Sequence, residues 1–289
     1  MLTLQRSHFF NRPDDHVSVQ YWLPHTSYPE HDHDYNEIIF ILAGEVTHIV
    51  NGLPWFMRPG SFMYIRAADR HAFEDVQGLC TINLLHLPLD QLNWFRGNTA
   101  ALFLENEPHL WHLAMPRWRQ LLLDVNAFAC DALYAENEEE VLRSARQETF
   151  LLRLVSLLSG YRLQARDELT VDDRVCLALS WVESHWQSKI DWEALAARYM
   201  LTLRTFQRRF KLQTGMAPQQ YLITLRLRHA RFLMQQDSHS LREIAEYCHF
   251  YDASHLSGCM RQHVFTSTAH VCRDNNQPTS PSPRRWRPE

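Results

Sequence analysis

Residues 202–215 read TLRTFQRRFKLQTG, and the reading of the second half of the chain follows from how that stretch folds. Thr202 is a good helix N-cap, and Gly215 supplies the residue just past the helix end, where a left-handed backbone is favoured. Between them Leu203, Phe206 and Phe210 fall on one stripe. Arg204, Arg208 and Lys211 cluster about a third of a turn away, with Gln207 near them. The predicted element is a helix with an apolar back and a basic, polar front. Before it, Asp191 caps a shorter helix over 192–199, with Ile190 and Leu195 placed as a hydrophobic staple. A short helix, a tight turn and a second helix with a cationic front can enter a DNA major groove, where Arg grips guanine O6/N7 and Gln grips adenine. Arg209 points away from that front and is expected to contact phosphate or stand in solvent.

A second unit of the same kind follows. Pro218 suits the first turn of a connecting helix lined by Leu222, Leu225, Ala230 and Leu233. Ser240-Leu241-Arg242-Glu243 is a capping box; Leu241, Ile244 and Ala245 face inward, and the turn falls near Cys248–Tyr251. Asp252 caps a further helix on which Ser254, His255 and Ser257 are candidates to face a groove, with Leu256 and Met260 behind.

Charge divides the chain. Residues 1–170 carry 13 Lys+Arg against 22 Asp+Glu, and residues 171–289 carry 16 against 11. Between Ala194 and Gln236 there are eight basic residues and no acid, the footprint of a polyanion site or a solvated helix face. The eight glycines form neither a dinucleotide fingerprint nor a phosphate loop, and no GxSxG elbow is present. Six scattered cysteines without a CxxC read as reduced thiols. The opening MLTLQRSHFF lacks the apolar core of a signal peptide, so a cytoplasmic location is expected.

Residues 17–90 read as short strands: Val17–Leu23, Asn36–Leu42, Val46–Val50, Ser61–Ile65 and Cys80–Leu87, separated by turn residues at Ala43-Gly44, Asn51-Gly52 and Arg58-Pro59-Gly60. This predicts a small antiparallel barrel or jelly roll. Helical periodicity follows over Trp118–Tyr134 and over Glu139–Ser159, where apolar residues such as Val141, Ala145, Leu152, Val155 and Leu158 form a stripe at three- and four-residue steps. These two helices either cover the barrel's open end or form a dimer interface. The fold class is therefore α+β: a barrel with following helices, then an all-α part with two helix-turn-helix units joined by a linker helix. The expected boundaries are 1–165, a linker at 166–172 within a polar connector from Gly160 to Asp172, 173–265, and a disordered Pro/Ser/Thr-rich tail over 266–289.

Within the barrel, His31-Asp32-His33, Glu37 and Gly44 fit H-x-H-x3-E-x6-G, the first motif of metal-binding cupins, and His71 could add a fourth ligand. The second cupin motif is only partly present around Pro59-Gly60-Ser61. Three readings stay open for His31, His33, Glu37 and His71: hydrogen bonds to an effector's hydroxyls, a structural polar cluster, or metal ligation. Arg66, His48 and Asn83 are weaker pocket candidates. No metal or other cofactor is expected, and the alternative is a cupin metalloenzyme with a helical appendage.

The run RTFQRRFKLQTGMAPQQYLITLRLRHARFLM followed by IAEYCHFYDASHLS resembles the arabinose-regulator (AraC/XylS) family of bacterial transcription activators, and residues 29–74 resemble the sugar-sensing domain of its L-rhamnose operon activators. The resemblance implies a cupin-like sensor barrel that binds a sugar effector, L-rhamnose or a related sugar, and a homodimer that reads promoter DNA and works with RNA polymerase rather than an enzyme. By position it implies base reading by Arg204 and Arg208 in the first unit and by Asp252 and Ser254 in the second. The chain departs from the family pattern at His249, where a turn glycine is usual, at Gly258 inside the last helix, and in lacking the closing G-x-T-P stretch. These departures suggest a reading frame changed near residue 256, and hence a loosely packed second unit with impaired DNA binding.

Overall fold

The computed structural model describes residues 2–88, 109–134, 138–163, 165, 167–236 and 239–268. They fall into two compact units, 1–229 and 230–289. The larger unit opens with eight strands: β1 Leu2–Leu4, β2 Val17–Trp22, β3 Tyr28–His33, β4 Asn36–Val50, β5 Leu53–Met57, β6 Ser61–Ile65, β7 His71–His86 and β8 Leu110–His112. They form one sheet in the order β1-β3-β7-β4-β6-β8, with β2 on β7 and β5 on β4.

Strand β4 is buried on both faces because its side chains alternate between two cores. Ile38 and Phe40 join Phe62, Ile82 and Leu84, whereas Ile39 and Ile41 join Val50, Met57, Met63 and Phe73. The turn expected at Ala43-Gly44 is instead a bulged stretch of this strand, with register shifts against β7. Gly44 has φ +75°, and a Cβ there would sit 2.3 Å from the Gln77 carbonyl oxygen. Only glycine fits, and the strand bends without breaking. The Asn51-Gly52 hairpin forms as expected, with Val50 opposite Leu53.

Helices α1 (Met115–Tyr134) and α2 (Glu140–Leu163) cover one face of the barrel through Leu121, Val125, Leu151, Leu154, Val155 and Leu158. Of the expected stripe on α2 only Val155 and Leu158 are buried. Val141 is 75% and Leu152 46% exposed, while Arg143, Gln147 and Glu148 are buried. The first half of α2 faces the protein with polar groups: Arg143 pairs with Asp14 and Asp15, and Gln147 accepts from the His16 and Val17 amides and donates to Asp15. A hydrophobic period cannot register such an interface.

Then come α3 (Val171–Ser184), α4 (Trp192–Arg198), α5 (Leu203–Thr214) and α6 (Pro218–Gln235). The connector is shorter than read, since α2 runs to Leu163 and Thr170 already caps α3 in a capping box with Asp173. The smaller unit holds the end of α6, α7 (Leu241–Tyr247) and α8 (Ala253–Thr268). Ile244, Ala245, Cys248, Phe250 and Leu256 are all buried, so the loose packing expected of this unit is not found among the described residues. Helix α8 reaches Thr268, beyond the expected start of the tail; residues 269–289 lie outside the described residues. Among those described, no helix is long and apolar enough to cross a membrane.

Candidate DNA-reading helices and barrel pocket

Helix α5 is built as its residues dictate. The Thr202 hydroxyl accepts from the Thr205 amide, and Gly215, at φ +76°, closes the end by donating its N–H to the Lys211 carbonyl. Phe206 and Phe210 are fully buried against Val175, Leu179 and Val182 of α3, while Leu203 is half-buried. Arg204, Gln207, Arg208 and Lys211 are all exposed.

The acid-free segment divides by duty. Arg226 is buried, donating to the Trp186 and Ser188 carbonyls; Arg228 pairs with Glu45, and Arg198 lies over the Trp181 ring. Arg209, partly exposed, lies 3.5 Å from Asp172, off the basic front. Arg204, Arg208 and Lys211 carry no ion pair among the described residues, and their charge is free for an external anion.

The second unit repeats the turn. Leu201 N–H reaches Ala196 O at 2.9 Å, and Phe250 N–H reaches Ala245 O at 2.8 Å. Met200 and His249 occupy the same left-handed position, at φ +55° and +60°, so His249 takes up the conformation a glycine would favour. The front of α8 differs from that of α5. Asp252 spends its carboxylate on the His255 amide, 2.6 Å away, and Ser257 donates to the Ala253 carbonyl of its own helix at 2.8 Å. Ser254 is exposed, and Gly258 stands where α5, aligned on its N-cap, carries Arg208.

In the barrel, β3, β4 and β7 bring His31, His33, Glu37 and His71 together, all buried. His33 Nε2 and His71 Nε2 each lie 3.7 Å from Glu37 Oε2. The His33 Nδ1–H donates to the Tyr35 carbonyl at 2.6 Å, His71 Nδ1 meets His48 Nε2 at 2.9 Å, and Asn83 donates to Glu37 Oε1 at 2.8 Å. His31 is held by the Pro29 carbonyl. Burial pushes the Glu37 carboxyl up to about 7 against the Asn83 hydrogen bond, and pushes His33 down to about 4. Burial and the neighbouring imidazoles of His31 and His33 hold His48 down at about 3.

Beside this cluster is a pocket of about 160 Å³. Trp22, Tyr28 and Phe73 form an apolar wall, and Gln20, His31, Glu37, His71 and Asn83 supply polar groups. Leu4 and Phe9, from the first residues of the chain, also line it. Of the weaker candidates, Asn83 lines the pocket and His48 stands behind it; Arg66 is bound to Asp69 instead.

Two family models match the chain, a helix-turn-helix domain over residues 195–287 and a cupin domain over residues 18–78. The chain is 32% identical over 268 residues to the HTH-type transcriptional activator RhaS of Shigella sonnei, covering 91% of this chain and 94% of that protein. RhaS of Escherichia coli O157:H7 matches with the same identity and coverage. The crystallised DNA-binding domain of AdpA, in complex with a target DNA, is 32% identical over 35% of this chain and 96% of its own, with a TM-score of 0.29. The chain belongs to the arabinose-regulator (AraC/XylS) family of transcription activators.

In this AraC/XylS member the sensor barrel meets the first helix-turn-helix unit through residues that sequence reading passed over. The His112 amide donates to Ser180 Oγ at 3.2 Å, and Glu183 is buried between His112 Nε2 and the Tyr221 hydroxyl. Arg58 lies over the Tyr221 ring and donates to the Gln213 carbonyl. Nothing local marks Glu183; it reads as one more helix-surface acid until its partners arrive from distant strands and helices.

The cupin fold also raises the question of a metal. The buried Nε2 atoms of His33 and His71 have no hydrogen-bond partner, and they face a carboxylate oxygen at a distance too long for a hydrogen bond. Two imidazoles and one carboxylate suit a divalent transition ion, which would supply Lewis-acid attraction for oxygen ligands.

Proposed function

We propose that this chain is an effector-responsive, sequence-specific DNA-binding activator that acts as a homodimer in the cytoplasm and recruits RNA polymerase at its promoters. Its work is binding rather than turnover. The observation that carries the reading is the front of α5: Arg204, Gln207, Arg208 and Lys211 exposed together on a doubly capped helix, with three cations free of internal partners. A helix so presented docks in a major groove with Arg204 and Arg208 on base edges and Lys211 near phosphate. Each half-site would offer two grooves about 34 Å apart to the two units of one chain.

The barrel pocket is the effector site. An apolar aromatic wall opposite a few buried polar groups suits a small polyhydroxyl molecule, whose hydroxyls pair with His31, Glu37, His71 and Asn83. L-rhamnose is the first to test. Effector binding acts by favouring one of two arrangements of the barrel edge against α3, where β8 and α3 are hydrogen-bonded and α3 packs directly on α5. A promoter footprint with and without L-rhamnose tests this reading. Protection of paired half-sites that depends on the sugar is expected; no protection under either condition, at low salt, refutes it.

A further inference from the structure

Helix α5 ends on a contact with the barrel. The last carbonyls of a helix have no partner within it and must find one elsewhere. At the end of α5 the Phe210 carbonyl accepts from the Thr214 hydroxyl at 2.8 Å, and the Lys211 carbonyl accepts from the Gly215 N–H. The Gln213 carbonyl is served from 155 residues away, where Arg58 Nη1 donates to it at 3.4 Å. The same guanidinium stands 5.2 Å from the centre of the Tyr221 ring on α6, a cation–π distance. A cation is also favoured at this end of a helix by the macrodipole.

Arg58 acts from a fixed base. It lies in the turn between β5 and β6, where its N–H donates to Ser61 Oγ at 3.1 Å and its carbonyl accepts from that hydroxyl at 2.6 Å. Ser61 is fully buried, and the Gly60 carbonyl accepts from the Leu113 N–H, just past β8, at 3.0 Å. Gln213 in turn pins α5 to α3. Its Nε2 donates to the Asp172 carbonyl at 3.3 Å, and its Oε1 accepts from Cys176 Sγ at 3.1 Å. One residue of α5 is thus held by the barrel and by α3 together, and it shares the last two turns of the helix with Arg208 and Lys211.

We propose that Arg58 is a positioning residue for DNA reading: from the barrel it fixes the C-terminal end of α5 through Gln213, and so sets where Arg208 and Lys211 meet the duplex. This rests on the reading of α5 as the base-reading helix and adds the barrel residue that aims it. Hydrogen bonds to base edges are short and directional, whereas attraction to phosphate reaches several ångströms through water. A displaced α5 therefore loses its choice of sequence before it loses its hold on DNA.

The test uses the full chain, the operator defined by footprinting and a scrambled duplex. Arg58→Met is expected to lower the ratio of operator to scrambled affinity about tenfold, within the range for coupled residues, and to leave scrambled-duplex affinity and its salt slope unchanged. Made on Arg208→Ala, the same change should cost much less, because a base contact already lost cannot be misaimed. Both affinities report on the same folded molecules, so partial unfolding leaves the ratio untouched. Should Arg58→Met fail to fold, Arg58→Gln carries the same cycle. An unchanged ratio, or losses for residues 58 and 208 that add, overturns the proposal. A shallower salt slope on scrambled DNA makes Arg58 a phosphate contact and overturns it as well. A wild-type chain with equal affinity for both duplexes removes the reading of α5 itself, and the proposal with it.

Discussion

His112, on the last barrel strand, places its Nε2 3.2 Å from Glu183 Oε1 on α3, and both side chains are buried. Burial opposes ionisation of Glu183, but the His112 imidazole, Arg58 and the Tyr221 hydroxyl outweigh it and hold its pKa below the usual carboxylate value. His112 is pushed below its ordinary value, chiefly by burial. The pair is therefore a neutral imidazole N–H and a phenol O–H donating to one carboxylate.

Removing that acceptor strands two buried donors. Glu183→Ala is expected to cost about 2–6 kcal/mol, two buried neutral donors left unsatisfied at about 1–3 kcal/mol each, and Tyr221→Phe about 1 kcal/mol. Urea denaturation of both variants checks this. A loss under 1 kcal/mol for Glu183→Ala would mean that water replaces the carboxylate and the network is not a joint.

Arg204→Ala should weaken operator binding by about 1–3 kcal/mol and relax base choice at one position. Arg209→Ala, which loses only a half-exposed pairing with Asp172, should change operator affinity little. Binding measured on the operator and on a scrambled duplex separates the two roles. Equal losses for Arg204→Ala on both duplexes would make it a phosphate contact.

Two glycines with the same backbone angle should respond differently to alanine. Gly44 and Gly215 have φ +75° and +76°, but only at Gly44 does an added Cβ meet backbone. Gly215→Ala should cost about 1 kcal/mol, the conformational penalty alone. Gly44→Ala should cost clearly more, because β4 or β7 must move. Thermal melts that rank them the other way would show that the bulge yields easily.

The buried histidines set an acid limit. His86 is held down at about 4 by burial, against its hydrogen bond to the Leu87 carbonyl. Unfolded, it takes its proton near 6.5. Between those values the unfolded chain binds more protons, so this contribution is complete above pH 6.5 and shrinks as pH falls towards 4, by about 1.4 kcal/mol per unit. Glu37, raised to about 7, acts in the opposite sense above 4.5 but is common to wild type and His86→Gln. The stability of His86→Gln should therefore fall less steeply from pH 6.5 to 4; identical slopes would show that His86 is solvated.

Much of this was legible because the signals are local. Thr202 and Gly215 mark α5, and Ser240 with Glu243 marks α7, through contacts a few residues apart in the chain. Strand β3 does not stand out by composition, because its YPEHDH sequence carries site residues where a strand normally carries apolar ones; only the alternation of His31 and His33 points to it. The Ala43-Gly44 pair reads equally as turn or bulge, and only the approach of the Gln77 carbonyl decides. Arg66 was expected at the pocket, but Asp69, three residues on, satisfies its guanidinium. Arg143 and Glu183 are charged and buried at once, which no periodicity reveals.

The turns at Met200 and His249 share a backbone conformation, yet the helix after the first displays guanidinium groups and the helix after the second short hydroxyls and a bare glycine. On the proposed reading, each helix would interrogate its own stretch of duplex with different strictness. Changes under the α5 end should be punished letter by letter, while those under the α8 end are tolerated so long as the sugar-phosphate rails keep their spacing. Promoters served by this chain would then share one strict half and drift freely in the other.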